Sequence, residues 1–213
     1  MNTYDISLIA SAPLVKSHLD GIKSETRRLP TVQLMRAWQH LGGGGAVRFW
    51  HREHITYEAF DGDCCRVRYH ADNTVKTMPV DRLLLTEWRA GRDAWPHTAS
   101  RSPIHMHQWA SRFTSIVTAL DIERVQDITD DGAIAEGIRF LRTREAEGWS
   151  IDPDARTLHA SAVAAFEAVW RTLHPGRKKS PDETWDANPE VFVIRYDLIP
   201  TNITQLNPDR IAA

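Results

Sequence analysis

The chain of 213 residues is short of several things that whole classes of protein need. It has two cysteines, Cys64 and Cys65, and they are adjacent. Neither has another cysteine to pair with, so a structural disulfide framework is excluded and a reducing, cytoplasmic setting is expected. No apolar run is long enough to span a bilayer. The opening "MNTYDISLIASAPLVKSHLDG" has neither the basic start nor the apolar stretch of a signal peptide, so no membrane partner is expected. An excess of one charge is also missing. The 26 Lys and Arg against 28 Asp and Glu leave a formal charge of -2. No global basic field advertises nucleic acid, and any such contact must be a local patch. The glycine run Gly42 to Gly45 has no Lys-Ser/Thr after it. We therefore read it as a flexible joint, not a phosphate loop. Internal repeats and low-complexity tracts are lacking as well.

What remains is an ordinary globular composition, 42% hydrophobic and 25% charged, with enough length for one cored domain over residues 1–213. "ISLIAS" reads as a buried strand. Ser11 is placed to cap a helix with Pro13 in its first turn and Gly21 as its stop. Thr31 to Leu41 reads as a second helix. "AVRFWHREHITYEAF" and "CCRVRYHAD", on either side of Asp61-Gly62, have the pattern of a hairpin. Residues 86–103, with Trp88 and Trp95, read as loop. "RFTSIVTALDIERVQDI" predicts one long or bent strand. Thr129 predicts a helix N-cap followed by acids that suit the dipole. Leu158, Ala162, Phe166, Val169, Trp170 and Leu173 predict one core-facing helical stripe. "EVFVIRYDLI" closes the chain as a strand. Strands and helices without a regular βαβ rhythm favour α+β with a mostly antiparallel sheet or a small barrel.

Candidate chemistry is sparse. His105 and His107, two apart, would share a face on a strand, but no Cys or carboxylate stands at a supporting spacing. We expect no metal site there. Cys64 and Cys65 on a strand point to opposite faces, which argues against a cysteine nucleophile. The eight tryptophans read as core and loop anchors, with one or two suited to stacking on a base. The run "HPGRKKSP" reads as a solvated loop or, functionally, as a phosphate contact. The segment "GIKSETRR", Gly21 to Arg28, carries almost nothing apolar. It reads as a solvated turn, as a charged edge strand, or as a polar rim facing a ligand. In each reading its side chains lie outside the core.

Three segments in order, Gly21 to Arg28, "ITDDGAIAEG" at Ile128 to Gly137, and "VFVIRY" at Val191 to Tyr196, resemble the ASCH-domain family. "SPIHMHQWASRFT" and "WDANP" look more narrowly like its phage and prophage members, which places a phage-encoded chain in the host cytoplasm. The resemblance implies a PUA-like small β-barrel decorated by helices, with variable insertions near 30–100 and 140–180. It further implies a pocket lined by the first two motifs. Some members are amidohydrolases that remove acetyl from N4-acetylcytidine; others are thought to bind or act on RNA. Their working trio matches Lys23, Thr26 and Glu136, with Arg28 matching a neighbouring Arg. Arg27 and Glu25 are expected beside the substrate. No metal or cofactor is required. A Thr hydroxyl becomes a nucleophile when a base takes its proton, and a partly buried Lys has the lowered pKa that a base needs. The expectation is hydrolysis of an N4-acylcytidine-like nucleoside, nucleotide or base. The alternatives are a non-catalytic reader of RNA or DNA bases and a nuclease.

Overall fold

The apolar run Val191 to Ile194 sets the centre of the molecule, because strands buried on both faces read as continuous rather than alternating hydrophobics. The computed structural model describes residues 2–80, 86, 100–176 and 180–206. In chain order its elements are β1 (Thr3–Ile9), α1 (Ala12–Leu19), β2 (Glu25–Arg28), α2 (Val32–Gly42), β3 (Ala46–Arg52), β4 (Ile55–Asp61), β5 (Cys64–Tyr69) and β6 (Val75–Pro79). There follow β7 (Ser100–Arg101), β8 (Thr114–Arg124), α3 (Asp130–Ala135), β9 (Arg139–Arg142), β10 (Glu147–Ser150), α4 (Ala162–Leu173) and β11 (Glu190–Ile199). The architecture is α+β and rich in antiparallel pairs.

The central sheet runs β1-β3-β8-β11-β2, and its single parallel pair is β1 with β3. Val191 to Ile194 of β11 are fully buried between two clusters. On one side Phe192 and Ile194 join Leu34 and Ala37 of α2, Phe49 of β3 and Val117 of β8. On the other, Val191 meets Ala165, Phe166 and Trp170 of α4 and Trp185. No ladder joins the edge strands β1 and β2 among the described residues. The Arg28 guanidinium bridges them, donating to the Ile9 carbonyl at 3.1 Å. A second sheet, β6-β5-β4-β7, packs Ile55, Tyr57, Val67 and Tyr69 against Trp109 and Met106.

The hairpin turn at Asp61-Gly62 forms, with Gly62 at φ +58° and Asp61 opposite Cys64. Its first arm is different from the sequence reading. "AVRFWHREHITYEAF" divides into β3 of the central sheet and β4 of the second. The break falls at Glu53, which is buried against Arg112 and cannot lie in a continuous apolar strand. The Ser11 side chain makes no cap hydrogen bond. Leu158 lies outside α4, whose cap is Ser161, accepting from the Ala164 amide at 3.0 Å. Leu173 is 56% exposed, not core. The glycine run is a fitted turn: a Cβ on Gly45 would sit 2.2 Å from the His40 ring. Thr31 and Thr129 cap α2 and α3 as expected. The long strand predicted after Arg112 is β8, irregular where Arg195 and Tyr196 of β11 face it. Trp88, Trp95 and the basic residues 177–179 lie outside the described residues.

Candidate functional site

Local hydrogen bonding brings Gly21–Arg28 and Ile128–Gly137 together. The Ser17 carbonyl near the end of α1 accepts from the amides of Ile22 (3.0 Å) and Lys23 (3.2 Å), which turns the chain through Gly21 at φ +69°. The next amide, Ser24, donates to the Ala135 carbonyl of α3 at 2.9 Å. The Thr129 hydroxyl caps α3 by accepting from the Gly132 amide at 3.1 Å, and Asp130 and Asp131 suit its positive end. Glu136 closes the helix. Gly137 follows at φ +104°, and a Cβ there would come 2.9 Å from the Ser17 Cβ. Only glycine lets α3 end this close to α1.

These contacts aim Lys23 at Glu136. Lys23 Nζ donates to Glu136 Oε2 (2.7 Å), to the Glu136 carbonyl (2.8 Å) and to the Glu25 carbonyl (2.7 Å). Glu136 Oε1 accepts from the Arg27 amide. Burial pushes the Lys23 ammonium below the ordinary lysine range; Glu136 opposes this, and Arg28 and Arg27 reinforce it. Arg27 is held by Glu25 (2.6 Å) and Glu123 (2.7 Å) and stands 6.0 Å from the Phe166 ring. Glu25 also takes Arg195 at 2.9 Å.

One reading needs correction here. Gly21–Arg28 was expected to keep its side chains out of the core. Lys23 is 4%, Thr26 1% and Glu136 5% exposed, and Glu25 and Arg27 are buried too. The physical reason is charge pairing: the buried Lys23, Glu25, Arg27 and Glu136 each have an opposite partner at short range, without which burial is prohibitive.

Thr26, Arg27, Arg28 and Glu136 form the polar side of a cleft. Its apolar side is Leu14, Ile151 and the α4 residues Phe166, Val169, Trp170 and Leu173, with His174 just beyond. The empty space of the cleft and its open mouth together is about 410 Å³, and about 30 Å³ of it can be occupied by water. That is room for one or two waters, so a planar ligand must part the side chains lining it. The Thr26 hydroxyl meets no hydrogen-bond partner among the described residues. Glu25 does not line the cleft.

The α4 wall was not legible as part of a site, because its stripe reads as ordinary core. The one signal was His174, four residues after Trp170 and in ring contact with it at 4.4 Å. His18 and His51 were also missed. They lie edge to face at 4.7 Å, bonded to Tyr196 (2.8 Å) and Ser115 (2.7 Å). Burial pushes His51 down to about 3 and His18 far below its usual range, with Lys23 and Arg28 adding. His105 ends one 3-10 turn and His107 precedes the next, so neither is on a strand; His107 meets the Tyr57 hydroxyl at 2.9 Å. Among the described residues no group of three or more His, Cys, Asp or Glu is arranged to hold a metal. Cys64 and Cys65 are free, and burial raises the Cys65 thiol to about 12, the wrong direction for a nucleophile. No helix among the described residues is long and apolar enough to cross a membrane. No family model, curated protein or solved structure matches the chain.

Proposed function

We propose that the protein is a metal-independent amidohydrolase of the ASCH type, acting in the cytoplasm on an N4-acylcytidine-like nucleoside, nucleotide or base. The observation that carries this reading is the buried Lys23–Glu136 pair at 2.7 Å, whose Glu136 lines the cleft together with Thr26 while Lys23 stands behind it. A PUA-like arrangement belongs to the same proposal. Its support is the five-stranded sheet whose two edges are bridged by Arg28.

The residues supply each part of amide hydrolysis. Lys23, with its depressed pKa, passes one proton to Glu136, leaving a neutral amine beside a carboxylic acid. The amine takes the Thr26 proton as the Thr26 oxygen attacks the amide carbon. The Glu136 acid protonates the departing exocyclic nitrogen, the C–N bond breaks, and the ion pair is restored with an acyl-threonine ester. Lys23 again passes a proton to Glu136, and its amine takes a proton from water as the water oxygen attacks the ester carbon. Lys23 gives that proton to the Thr26 oxygen as the acid leaves, and the Glu136 proton returns to Lys23. The apolar wall of Phe166 and Trp170 gives a flat base a surface to stack on.

A second reading is a non-catalytic reader of modified bases. It is favoured by Lys23 using all three of its donors within the protein. Incubation with a panel of N4-acylated cytidines and deoxycytidines, read by mass spectrometry, separates the two. Loss of the acyl group is expected. An unchanged panel, together with binding of any member, would establish the reader.

A further inference from the structure

Arg28 stands apart from the arginines around it. Arg27 is paired with Glu25 and Glu123, Arg195 with Glu25 and Asp121, Arg139 with Asp20, and Arg171 with Glu167 and Asp186. Arg28 is half-buried in the cleft, and among the described residues its guanidinium meets no carboxylate. Its one recorded hydrogen bond runs from Nη2 to the Ile9 carbonyl. That leaves most of a five-donor fork unfilled. A partly desolvated guanidinium without a counter-ion is unfavourable unless an anion completes it. Two neighbours make the place a built one. Thr26, 1% exposed, lines the same cleft, and its hydroxyl has no hydrogen-bond partner among the described residues. His174 stands at its rim, 3.8 Å from Glu183 and against Trp170.

We propose that Arg28 and His174 form a phosphate subsite at the mouth of this cleft, so that the ligand is a nucleotide, free or within a strand, and not an uncharged nucleoside. This rests on the cleft being the base-binding site proposed above. The polar floor and aromatic wall then hold the base, and Arg28 with His174 takes a phosphate oxygen. The sign of the His174 shift fits. Burial lowers its pKa, Arg28 adds to this, and Glu183 opposes it. A bound phosphate brings negative charge beside the ring and favours its protonated form. Binding should therefore tighten as pH falls through the histidine range. A phosphodiester keeps its own charge over that range, so the change reports His174 facing Arg28, Glu183 and Trp170.

The test is calorimetric titration with cytidine, cytidine 5′-monophosphate and a short single-stranded oligonucleotide, at low and high salt. The monophosphate is expected to bind at least about tenfold tighter than cytidine at low salt, the size of one charge-assisted contact. Arg28→Gln should abolish that gain, bringing cytidine and its monophosphate to equal affinity within that variant; Arg28→Lys should restore part of it. With a phosphodiester dinucleotide, tightening from pH 7.5 to 5.5 should vanish in His174→Gln. Tighter binding of the oligonucleotide than of the monophosphate, steeper in salt, places the phosphate in a strand; the reverse places it on a free nucleotide. Equal affinity for cytidine and its monophosphate, or a gain that survives both Arg28→Gln and Arg28→Ala in folded protein, overturns the subsite. The readout is binding alone. A phosphate-dependent gain without hydrolysis defeats the amidohydrolase and leaves the subsite standing, whereas hydrolysis indifferent to phosphate does the opposite.

Discussion

Among the described residues two ion-pair clusters are buried, and they are built for different ends. Near the second sheet Arg112 reaches both oxygens of Glu53 at 2.8 Å and donates to Asp72 at 2.8 Å and Thr74 at 2.7 Å. Its guanidinium lies against Tyr69 at 4.2 Å and Phe113 at 5.0 Å. Each of the three guanidinium nitrogens donates to an oxygen, and the cluster staples the start of β8 to the second sheet. At the other, Lys23 and Glu136 are also buried, but Glu136 lines a cleft where, among the described residues, the Thr26 hydroxyl has no partner and the Arg28 guanidinium no carboxylate. Completeness on one side and unfinished valence on the other separate a structural pair from a candidate site. Burial and pairing alone do not.

The largest expected effect breaks this comparison in the cleft. Glu136→Gln and Lys23→Met should each lower turnover on the best panel substrate about a thousandfold, as loss of a general acid or base does. The double variant should be little worse than either single one, because the residues act as a unit. Mass-spectrometric turnover with circular dichroism of each variant checks both statements. Full activity in either single variant removes the hydrolase.

The staple should answer in the opposite currency. Arg112→Met leaves Glu53 buried without its partner, and breaking such a pair is worth about 3–5 kcal/mol of stability. Turnover per folded molecule should not change. Denaturant titration beside turnover at saturating substrate measures the two separately, and a selective loss of turnover would dissolve the distinction between the clusters.

Acid should act through the buried imidazoles between the two clusters. His51 is pushed down to about 3 in the folded chain, against 6.5 for the free side chain. Between these values the unfolded chain holds the proton and the folded one does not. The His51 contribution to stability therefore falls as pH drops below 6.5 and levels off near the folded value, with about 2 kcal/mol lost by pH 5. His51→Gln should reduce this slope by about half, because the neighbouring His18, also shifted down, contributes in the same direction. An unchanged slope between pH 6.5 and 5 would count against a neutral buried imidazole there.

Much of this was readable beforehand, residue by residue. Thr31 and Thr129 announced their helices, because a cap is a local hydrogen bond. The apolar run of β11 announced a strand, though not its central place in the sheet. Lys23, Thr26, Arg28 and Glu136 were singled out, and Lys23 and Glu136 touch across 113 positions of sequence. Their burial was not readable, since charges look like surface until their partners are known, and Glu123 and Arg195 are distant in sequence. The split between β3 and β4 was hidden for the same reason: Glu53 breaks the run only because Arg112 awaits it. Phe166 and Trp170 look alike as core or cleft wall, and only the position of α4 against β2 decides.

The smallest effect sharpens the comparison most cleanly, because it uses two matched caps. Thr129 accepts from the Gly132 amide at 3.1 Å and Thr31 from the Leu34 amide at 3.2 Å. Removing either hydroxyl, Thr129→Ala or Thr31→Ala, should reduce stability by about 1 kcal/mol. The helices differ in what they carry. α2 presents Leu34 and Ala37 to the sheet and contributes nothing to the cleft. α3 is six residues long and ends on Glu136, so fraying of its first turn reaches the carboxylate that faces Lys23. A displacement of that carboxylate by even about 1 Å is enough to slow a positioned reaction severely. Turnover should therefore fall several-fold in Thr129→Ala and stay at the wild-type value in Thr31→Ala, at equal loss of stability. Thr129→Ser, which keeps the hydroxyl, should restore it. Equal turnover in the two alanine variants would mean that α3 holds Glu136 through its contacts with Ser24 and Ser17 alone, and that the cap belongs to the fold and not to the site.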